Sequence, residues 1–401
     1  MKTKRTIRLF SGLTTNSFLL ALTSLFADVS SEMLYPILPI FLTQTLKASG
    51  SIVGIVEGVA ETTQNLVQGV SGWFSDKTKK YKAIALTGYI LAALSKPFIG
   101  LATAWPLVLL FRFTERLGTG IRSAPRDALI AGSADPENRG KAFGIEGFGD
   151  NLGAFIGPLL AILFIFSLHQ SLPTIFYLAV IPGLLAVGMI LSVKEKPNGI
   201  PAKTSIARGF RAFPPMFKRY LLAAALFGIG NSSNAFLILQ AKSLGISFMG
   251  TIFIYAAFNL VAALISYPAG RLSDNIGRKN ILLLALVIFL ITYAGFACLG
   301  SLWIIAALFC LYGLYQGIYR SVGKAIAADL SPAGLKASGL GWYATTVGLT
   351  GLFASIVAGV LWDKVGHSAV FVFGAIFALA GIIAFAFLIP GTTRKPESQT
   401  T

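Results

Sequence analysis

"GRLSDNIGRKN", residues 270–280, lies between two long apolar stretches and has a looser twin, "GWFSDKTKKYK", at residues 72–82. Their aspartates, Asp76 and Asp274, stand 198 residues apart, and Arg122 and Arg320, deep in later apolar stretches, share that offset. Further on, "IAGSADP" (130–136) is echoed by "IAADLSP" (326–332), shifted by two residues as a change in loop length would do. A repeat at this period reads the chain as two copies of one unit of about 200 residues. The segment 194–218, basic and carrying Pro197, Gly199, Pro201, Pro214 and Pro215, reads as the link between them.

The residues around these loops say what the units are made of. Of 401 residues 55% are hydrophobic and only 12% charged, and the mean hydropathy is +0.74, which describes a membrane protein rather than a water-soluble domain. A spanning helix takes about 20 mostly apolar residues. Twelve such stretches fall near 14–44, 50–75, 82–101, 105–131, 142–167, 172–193, 219–241, 248–273, 280–300, 302–328, 338–362 and 367–389. The expected organisation is therefore a short N-terminus (1–13), a six-helix bundle (14–193), the connector (194–218), a second six-helix bundle (219–390) and a tail (391–401).

The net charge of +17 is distributed by topology and not gathered into a nucleic-acid face. "KTKR", "DKTKKYK", "ENRGK", the connector with Lys194, Lys196, Lys203, Arg208, Arg211, Lys218 and Arg219, "GRK" and Lys336 all fall on one side; Lys47, Lys242 and Lys364 fall on the other. The positive-inside rule places both termini in the cytoplasm of a cell (inner) membrane protein. A cleaved leader ending near Asp28 would leave eleven spans and break the repeat. Cys298 and Cys310 lie in apolar helices with no metal spacing, and His169 and His367 lie in loops, so neither a metal centre, a cofactor site nor a nucleophile–base constellation is expected.

The loop at 270–280 resembles the signature G-x-L-x-D-x-x-G-R-K of the major facilitator superfamily through Gly270, Leu272, Asp274, Gly277, Arg278 and Lys279. Its first-half copy keeps Gly72, Asp76, Lys77 and Lys80 but has Lys79 where that family has glycine. The resemblance covers essentially the whole chain. It implies an all-α membrane protein with 12 transmembrane helices in two pseudo-symmetric six-helix bundles, helices 1, 2, 4, 5, 7, 8, 10 and 11 around a central passage and 3, 6, 9 and 12 outside. It also implies that Gly72, Asp76, Lys77, Gly270, Asp274, Gly277, Arg278 and Lys279 form a cytoplasmic gate. The chemistry is plain, since an Asp at a helix end can accept from the backbone N–H groups of a neighbouring helix terminus and an Arg can pair with a carboxylate.

A charge inside a membrane costs about 2.5 kcal/mol or more, so interior ionisable residues mark the working part. Asp28, Glu32, Glu57, Glu61, Glu115, Glu146 and Asp150 fall within first-half spans, whereas the second-half acids Asp274, Asp329, Asp363 and Glu397 fall at loops or the tail. Asp28 and Glu32 are four apart, as are Glu57 and Glu61, with Gln64 and Gln68 extending the latter face. Span 4 carries Arg112, Glu115, Arg116, Thr119, Arg122 and Arg126 at steps of three or four, facing cations toward these acids. Proton coupling is accordingly expected at Asp28, Glu32, Glu57, Glu61, Arg112, Glu115 and Arg116, with the arginines setting carboxyl affinity. Local ion pairing that merely locks helices together is the alternative for any single pair.

In span 5, "GDNLGAFIGP" places Gly149, Gly153 and Gly157 before Pro158 at fourfold spacing. Such steps allow close helix packing, and the element resembles the family's antiporter motif without its trailing glycine pair. Asp28 followed by Pro36 is likewise similar to the first-helix motif of the family's drug exporters. In span 4, Arg112 and Glu115 match that branch, but Arg116 replaces a glycine. In the second half Asn231, Asn234, Tyr255, Asn259, Tyr312, Tyr315, Gln316, Tyr319 and Arg320 suit an organic solute with polar and apolar parts and are expected to line its site.

The reading is a proton-coupled transporter, not an enzyme, that exports an organic or amphipathic small molecule by alternating access and acts as a monomer in the lipid bilayer. An uptake symporter for an anionic solute uses the same fold with Arg112, Arg116, Arg122, Arg320 and Lys324, and a metal exporter or a non-transporting sensor are further alternatives. Carboxylates alone suit a soft metal poorly.

Overall fold

The computed structural model describes residues 12–35, 37–38, 41–48, 50–195, 210–243, 245–246, 248–298 and 302–389. "KTKR", Pro36, connector residues 196–209 and the tail from 390, including Glu397, lie outside the described residues. The described chain is helical, in two six-helix halves. The first contains α1 (Thr15–Glu32), α2 (Gly50–Thr78), α3 (Tyr81–Gly100), α4 (Trp105–Gly132), α5 (Arg139–Ile162) and α6, which is in two pieces, Leu172–Leu178 and Val180–Ser192. The second contains α7, broken into Pro215–Gly230 and Ala235–Ser243, α8 (Phe248–Ile276), α9 (Arg278–Cys298), α10 (Leu302–Leu330), α11 (Lys336–Lys364) and α12 (His367–Leu388).

Seven of these helices (α3, α5, α6, α8, α9, α11 and α12) are long and apolar enough to cross a membrane among the described residues. The other five carry most of the interior charges or, in α7, are interrupted. Span 1 departs from the expected single helix over 14–44: α1 stops at Glu32, and a π turn forms at Phe41–Thr45. The sequence has its reason in place, because a proline at 36 would clash with the carbonyl four residues earlier, that of Glu32. The interruption of α7 follows Gly228 and Gly230 and exposes backbone at depth, which a membrane tolerates only against protein or a water-filled cavity.

Packing between the halves runs through α2 against α11 and α5 against α8 and α10, whereas α3, α6, α9 and α12 pack within their own halves. The outer helices present their large apolar side chains outward, among them Phe98, Ile181, Ile291 and Ile376. Glycine permits the closest approaches between halves. A Cβ on Gly72 would lie 2.5 Å from the carbonyl oxygen of Ala337, and one on Gly140 would lie 2.4 Å from that of Gly270.

The α8–α9 turn is made at Gly277, with φ +102°. Its first-half counterpart, Lys79, takes φ +57° despite its side chain, a conformation costing an L-residue about 1–2 kcal/mol. Lys79 Nζ is held by the Gly334 carbonyl of the other half at 2.9 Å. The glycine missing from the first loop is thus replaced by a lysine that adopts the same hand of turn and ties it across the interface.

Candidate functional site

At one end of the molecule the two loop aspartates make equivalent contacts. Asp76, near the end of α2, accepts from the backbone N–H of Ser338 at 2.6 Å and of Ala337 at 3.3 Å, at the start of α11. Asp274, near the end of α8, accepts from the N–H groups of Gly140 and Lys141, both at 2.9 Å, at the start of α5. Each carboxylate therefore sits on a helix N-terminus of the opposite half, where the unpaired N–H groups and the helix dipole favour a negative charge. Arg278 pairs with Asp274 at 3.2 Å and reaches the Pro136 carbonyl at 2.7 Å. It also pairs with Asp329, which Arg139 holds at 2.7 Å from the first half. Lys77 lies over the Trp73 ring, 5.0 Å from its centroid, and Lys279 donates to the Ala386 carbonyl, so these two lie outside the clasp.

Replacing Asp274 with alanine is expected to speed amide exchange at Gly140 and Lys141 by about 10- to 100-fold, the equivalent of a charge-assisted hydrogen bond. Hydrogen-exchange mass spectrometry of the peptide spanning the start of α5 reads this, with α12 as the unchanged internal standard. Unchanged exchange at both amides would remove the clasp from the account of closure.

Above the clasp, the first-half charges are brought together in a column along α1, α2, α4 and α5. Arg112 makes a two-point contact with Glu57, at 3.2 and 3.1 Å, and meets Glu115 at 2.8 Å. Arg116 reaches Glu115 at 3.4 Å and Gln64 at 3.0 Å. These residues form a network with Glu115 at its buried centre, 0% exposed. Glu32 belongs to a different contact, accepting from the Tyr255 hydroxyl of α8 at 3.3 Å beside the stacked rings of Tyr35 and Tyr255. Glu61 is exposed, and among the described residues neither it nor Glu32 has an ion-pair partner.

Asp28 lies 3.7 Å from Arg122 and within hydrogen-bonding reach of Asp150 on α5, which in turn pairs with Arg320 of α10. Deeper toward the clasp, Arg126 joins Asp127 at 2.8 Å and Glu146 at 3.0 Å and donates to Ser24 at 3.0 Å. Lys324 from the second half closes that group, 3.2 Å from Glu146 and 3.5 Å from Asp127. Sequence reasoning omitted Asp127 altogether, placed Lys324 only among the cations of the anion-uptake alternative, and kept Glu146 and Asp150 as weaker candidates open to pairing with Arg122 or Arg126, as Glu146 does with Arg126. The signal was available in "GIRSAPRDA" at 120–128, whose Arg122 and Arg126 repeat at one helical turn just ahead of an acid.

The second half differs from the expected aromatic wall. Tyr312, Tyr315 and Tyr319 are buried in the core of their own bundle, against Phe227, Phe258, Phe289 and Tyr293. Two of them, Tyr312 and Tyr315, keep a hydroxyl at the asparagines beside the interruption of α7. Tyr312 donates to Asn234 at 2.7 Å, and Asn231 donates to Tyr315 at 3.0 Å. Asn234 reaches Gln316 at 3.5 Å, whereas Asn259 is buried and bonds the Tyr255 carbonyl at 3.0 Å. Spacing identified the shared face of the tyrosines but not its rotation toward α9. A cavity of about 240 Å³ does open between the halves where α7 is interrupted, lined by Glu61, Asn65, Asn231, Ser232, Ser233 and Ser355 among others.

Gly149, Gly153 and Gly157 bring α5 against α1. A Cβ at each would lie 2.4 Å from the Ala21 carbonyl oxygen, 2.5 Å from that of Leu25 and 2.8 Å from the Glu32 Cβ, respectively. The stripe, with Pro158 just beyond it, holds Asp150 against Asp28.

Comparison with known proteins agrees with this architecture. The model of the family described as Major Facilitator Superfamily matches residues 20–238 and 220–401. An MFS-type transporter of Methanocaldococcus jannaschii, MJ1317, is 36% identical over 382 residues, covering 94% of this chain and 95% of that protein. The maltose permease of Geobacillus stearothermophilus is 26% identical over 369 residues, covering 88% of this chain and 90% of that one. Among solved structures, the human organic anion transporter MFSD10 superposes with a TM-score of 0.81 at 17% identity, over 92% of this chain and 98% of that one. The Escherichia coli fucose:proton symporter FucP superposes with a TM-score of 0.78 at 16% identity, over 93% and 98%.

Proposed function

The chain belongs to the Major Facilitator Superfamily and is a multi-pass membrane transporter, and from that premise we propose that it exports an organic or amphipathic small molecule in exchange for protons. The observation that carries the reading is the facing carboxyl pair Asp28 and Asp150, whose second cation, Arg320, belongs to the opposite half. Two carboxyl groups in contact favour holding a proton between them, and a guanidinium beside them opposes it. Rocking the halves apart at the clasp withdraws Arg320 from Asp150 and Lys324 from Glu146. The protonation of the pair then follows the conformation, which is the linkage an exchanger needs. Glu32 and Glu61, free of ion pairs among the described residues, are the further carriers, while Arg112, Arg116 and Glu115 hold Glu57 in a fixed network.

In this reading the clasp end is cytoplasmic, both termini lie on that side of the cell membrane, and the clasp of Gly72, Asp76, Gly270, Asp274, Gly277 and Arg278 seals it in the conformation described. Solute is bound in the cavity at the interruption of α7, where Asn65, Asn231 and Ser355 line the wall. The close packing of α1 on the Gly149, Gly153, Gly157 and Pro158 stripe supports antiport over symport through its resemblance to the antiporter motif.

The test is flux. Amphipathic organic cations and neutral compounds that raise the melting temperature of the purified protein are loaded into proteoliposomes together with a pH-sensitive dye. An imposed pH gradient is expected to drive each solute uphill against a counterflow of protons. Solute movement indifferent to the gradient removes proton coupling, and accumulation in the same direction as the protons assigns symport.

A further inference from the structure

Inside the first half, between α1, α3, α4 and α6, a small cavity is lined by Ser31, Tyr89, Lys96 and Arg122 against a floor of alanines and Gly183. It has room for about one water-sized occupant. Lys96 and Arg122 are 2% and 4% exposed, so both cations are buried. The Lys96 ammonium donates to the neutral hydroxyls of Ser30 and Ser31, at 2.5 and 3.2 Å. The Ser30 hydroxyl itself donates to the Ala179 carbonyl. Arg122 stacks on the Tyr89 ring, 4.5 Å from its centroid, and approaches Asp28 with Nη2 alone, at 3.7 Å. Its Nε and Nη1, and the Tyr89 hydroxyl, are buried with no hydrogen-bond partner.

The charge of this lining is of one sign. Guanidinium and ammonium groups have hydrogens to donate and no lone pair to accept with, and no carboxylate lines the cavity. A water placed there would satisfy the donors and could give its own protons to the Ser31 and Tyr89 hydroxyl oxygens, but it carries no charge. It would therefore bring no negative charge to two buried cations that have between them one carboxylate within ion-pairing distance among the described residues, Asp28 at 3.7 Å from Arg122, which is the costly arrangement. A monatomic anion accepts from every direction and donates nothing.

We propose that this cavity binds a small monovalent anion, a halide ion such as chloride, held by Arg122, Lys96 and the Tyr89 hydroxyl. The site is distinct from the solute passage and does not depend on which solute the protein carries. Because Arg122 also faces Asp28, an occupant divides the guanidinium's charge between the anion and that carboxyl.

The test is the melting temperature of the purified full-length protein in sodium chloride against sodium gluconate at one ionic strength. Binding to the folded state alone raises stability with the logarithm of ligand concentration above Kd, and a rise on the order of 3 °C is expected in chloride. In Lys96→Met the rise is expected to vanish. Tyr89→Phe, which keeps the ring and loses one donor, is expected to raise several-fold the chloride concentration needed for a given shift. Crystals soaked in bromide are expected to show an anomalous peak within the cavity. Equal melting of the natural protein in the two salts, a chloride shift undiminished in both variants, or a cavity holding water in bromide-soaked crystals would overturn the proposal.

Discussion

Replacing Arg112 with methionine is expected to lower the stability of the protein by about 3–5 kcal/mol, the range for removing one partner of a buried ion pair. Arg112 is 1% exposed and touches two carboxylates, Glu57 and Glu115, of which Glu115 is wholly buried. Without the guanidinium, the nearest cation to Glu115 is Arg116 at 3.4 Å. Glu115 Oε1 already lacks a hydrogen-bond partner, so the site has no slack to absorb the loss. The cost arises from the stranded charge and not from the missing arginine, which makes the effect reversible by a second change. Arg112→Met combined with Glu115→Gln and Glu57→Gln removes the charges together and is expected to recover most of the lost stability. The readout is thermal unfolding in detergent, where the single change should lower the midpoint by roughly 4–6 °C. A triple variant as unstable as the single one would mean that Arg112 acts through packing, and the network would then be no electrostatic unit.

That network shows what a sequence displays and what it hides. Arg112, Glu115 and Arg116 on one helix, and Glu57 with Gln64 on another, repeat at helical spacing, so each face was legible. Which faces meet was not, because spacing fixes a residue's angle on its own helix and leaves the rotation of that helix open. Arg320 illustrates the point: it was assigned to the solute, but it is spent on Asp150. The tyrosines of α10 were displaced for the same reason, turned toward α7 and α9 rather than the passage. Asp127 was passed over because an acid beside an arginine near a helix end looks like ordinary topology. Only the arrival of Glu146 from α5 and Lys324 from α10 makes it part of a buried cluster. The clasp, by contrast, was implied by the resemblance of residues 270–280 to the family signature, and an Asp at a helix end is suited to a neighbouring helix terminus, but which terminus each aspartate meets was not legible. The loop glycine replaced by Lys79 falls between these cases. Its backbone hand follows from the repeat, and its anchor on Gly334 does not.

Replacing Asp28 and Asp150 together by asparagine is expected to reduce pH-driven solute movement in proteoliposomes by at least about 100-fold while leaving solute-for-solute exchange within a few-fold of its original rate. The two effects separate because exchange needs the solute site and the moving halves, whereas driven transport needs a group whose proton occupancy changes with conformation. Asparagine keeps the shape and hydrogen-bonding reach of each side chain but cannot titrate. The single changes are not equivalent. Asp150→Asn leaves Arg320, whose side chain is 41% exposed, facing the passage, where water can take over its solvation. Asp28→Asn leaves Arg122 enclosed, with two of its nitrogens already unpartnered, and is expected to be the less stable of the two. Coupling should be lost in both, since a facing pair with one titrating member no longer holds a proton between two carboxyls. Driven transport that survives the double change at full rate would move the proton site to Glu32 or Glu61, the two interior acids with no ion pair among the described residues. Loss of exchange along with driven transport would instead make the Asp28, Asp150 and Arg320 contact a structural joint between the halves. The ratio of driven to exchange rates therefore decides among the three, because a joint, a neighbouring carrier and a proton switch at this pair each predict a different one.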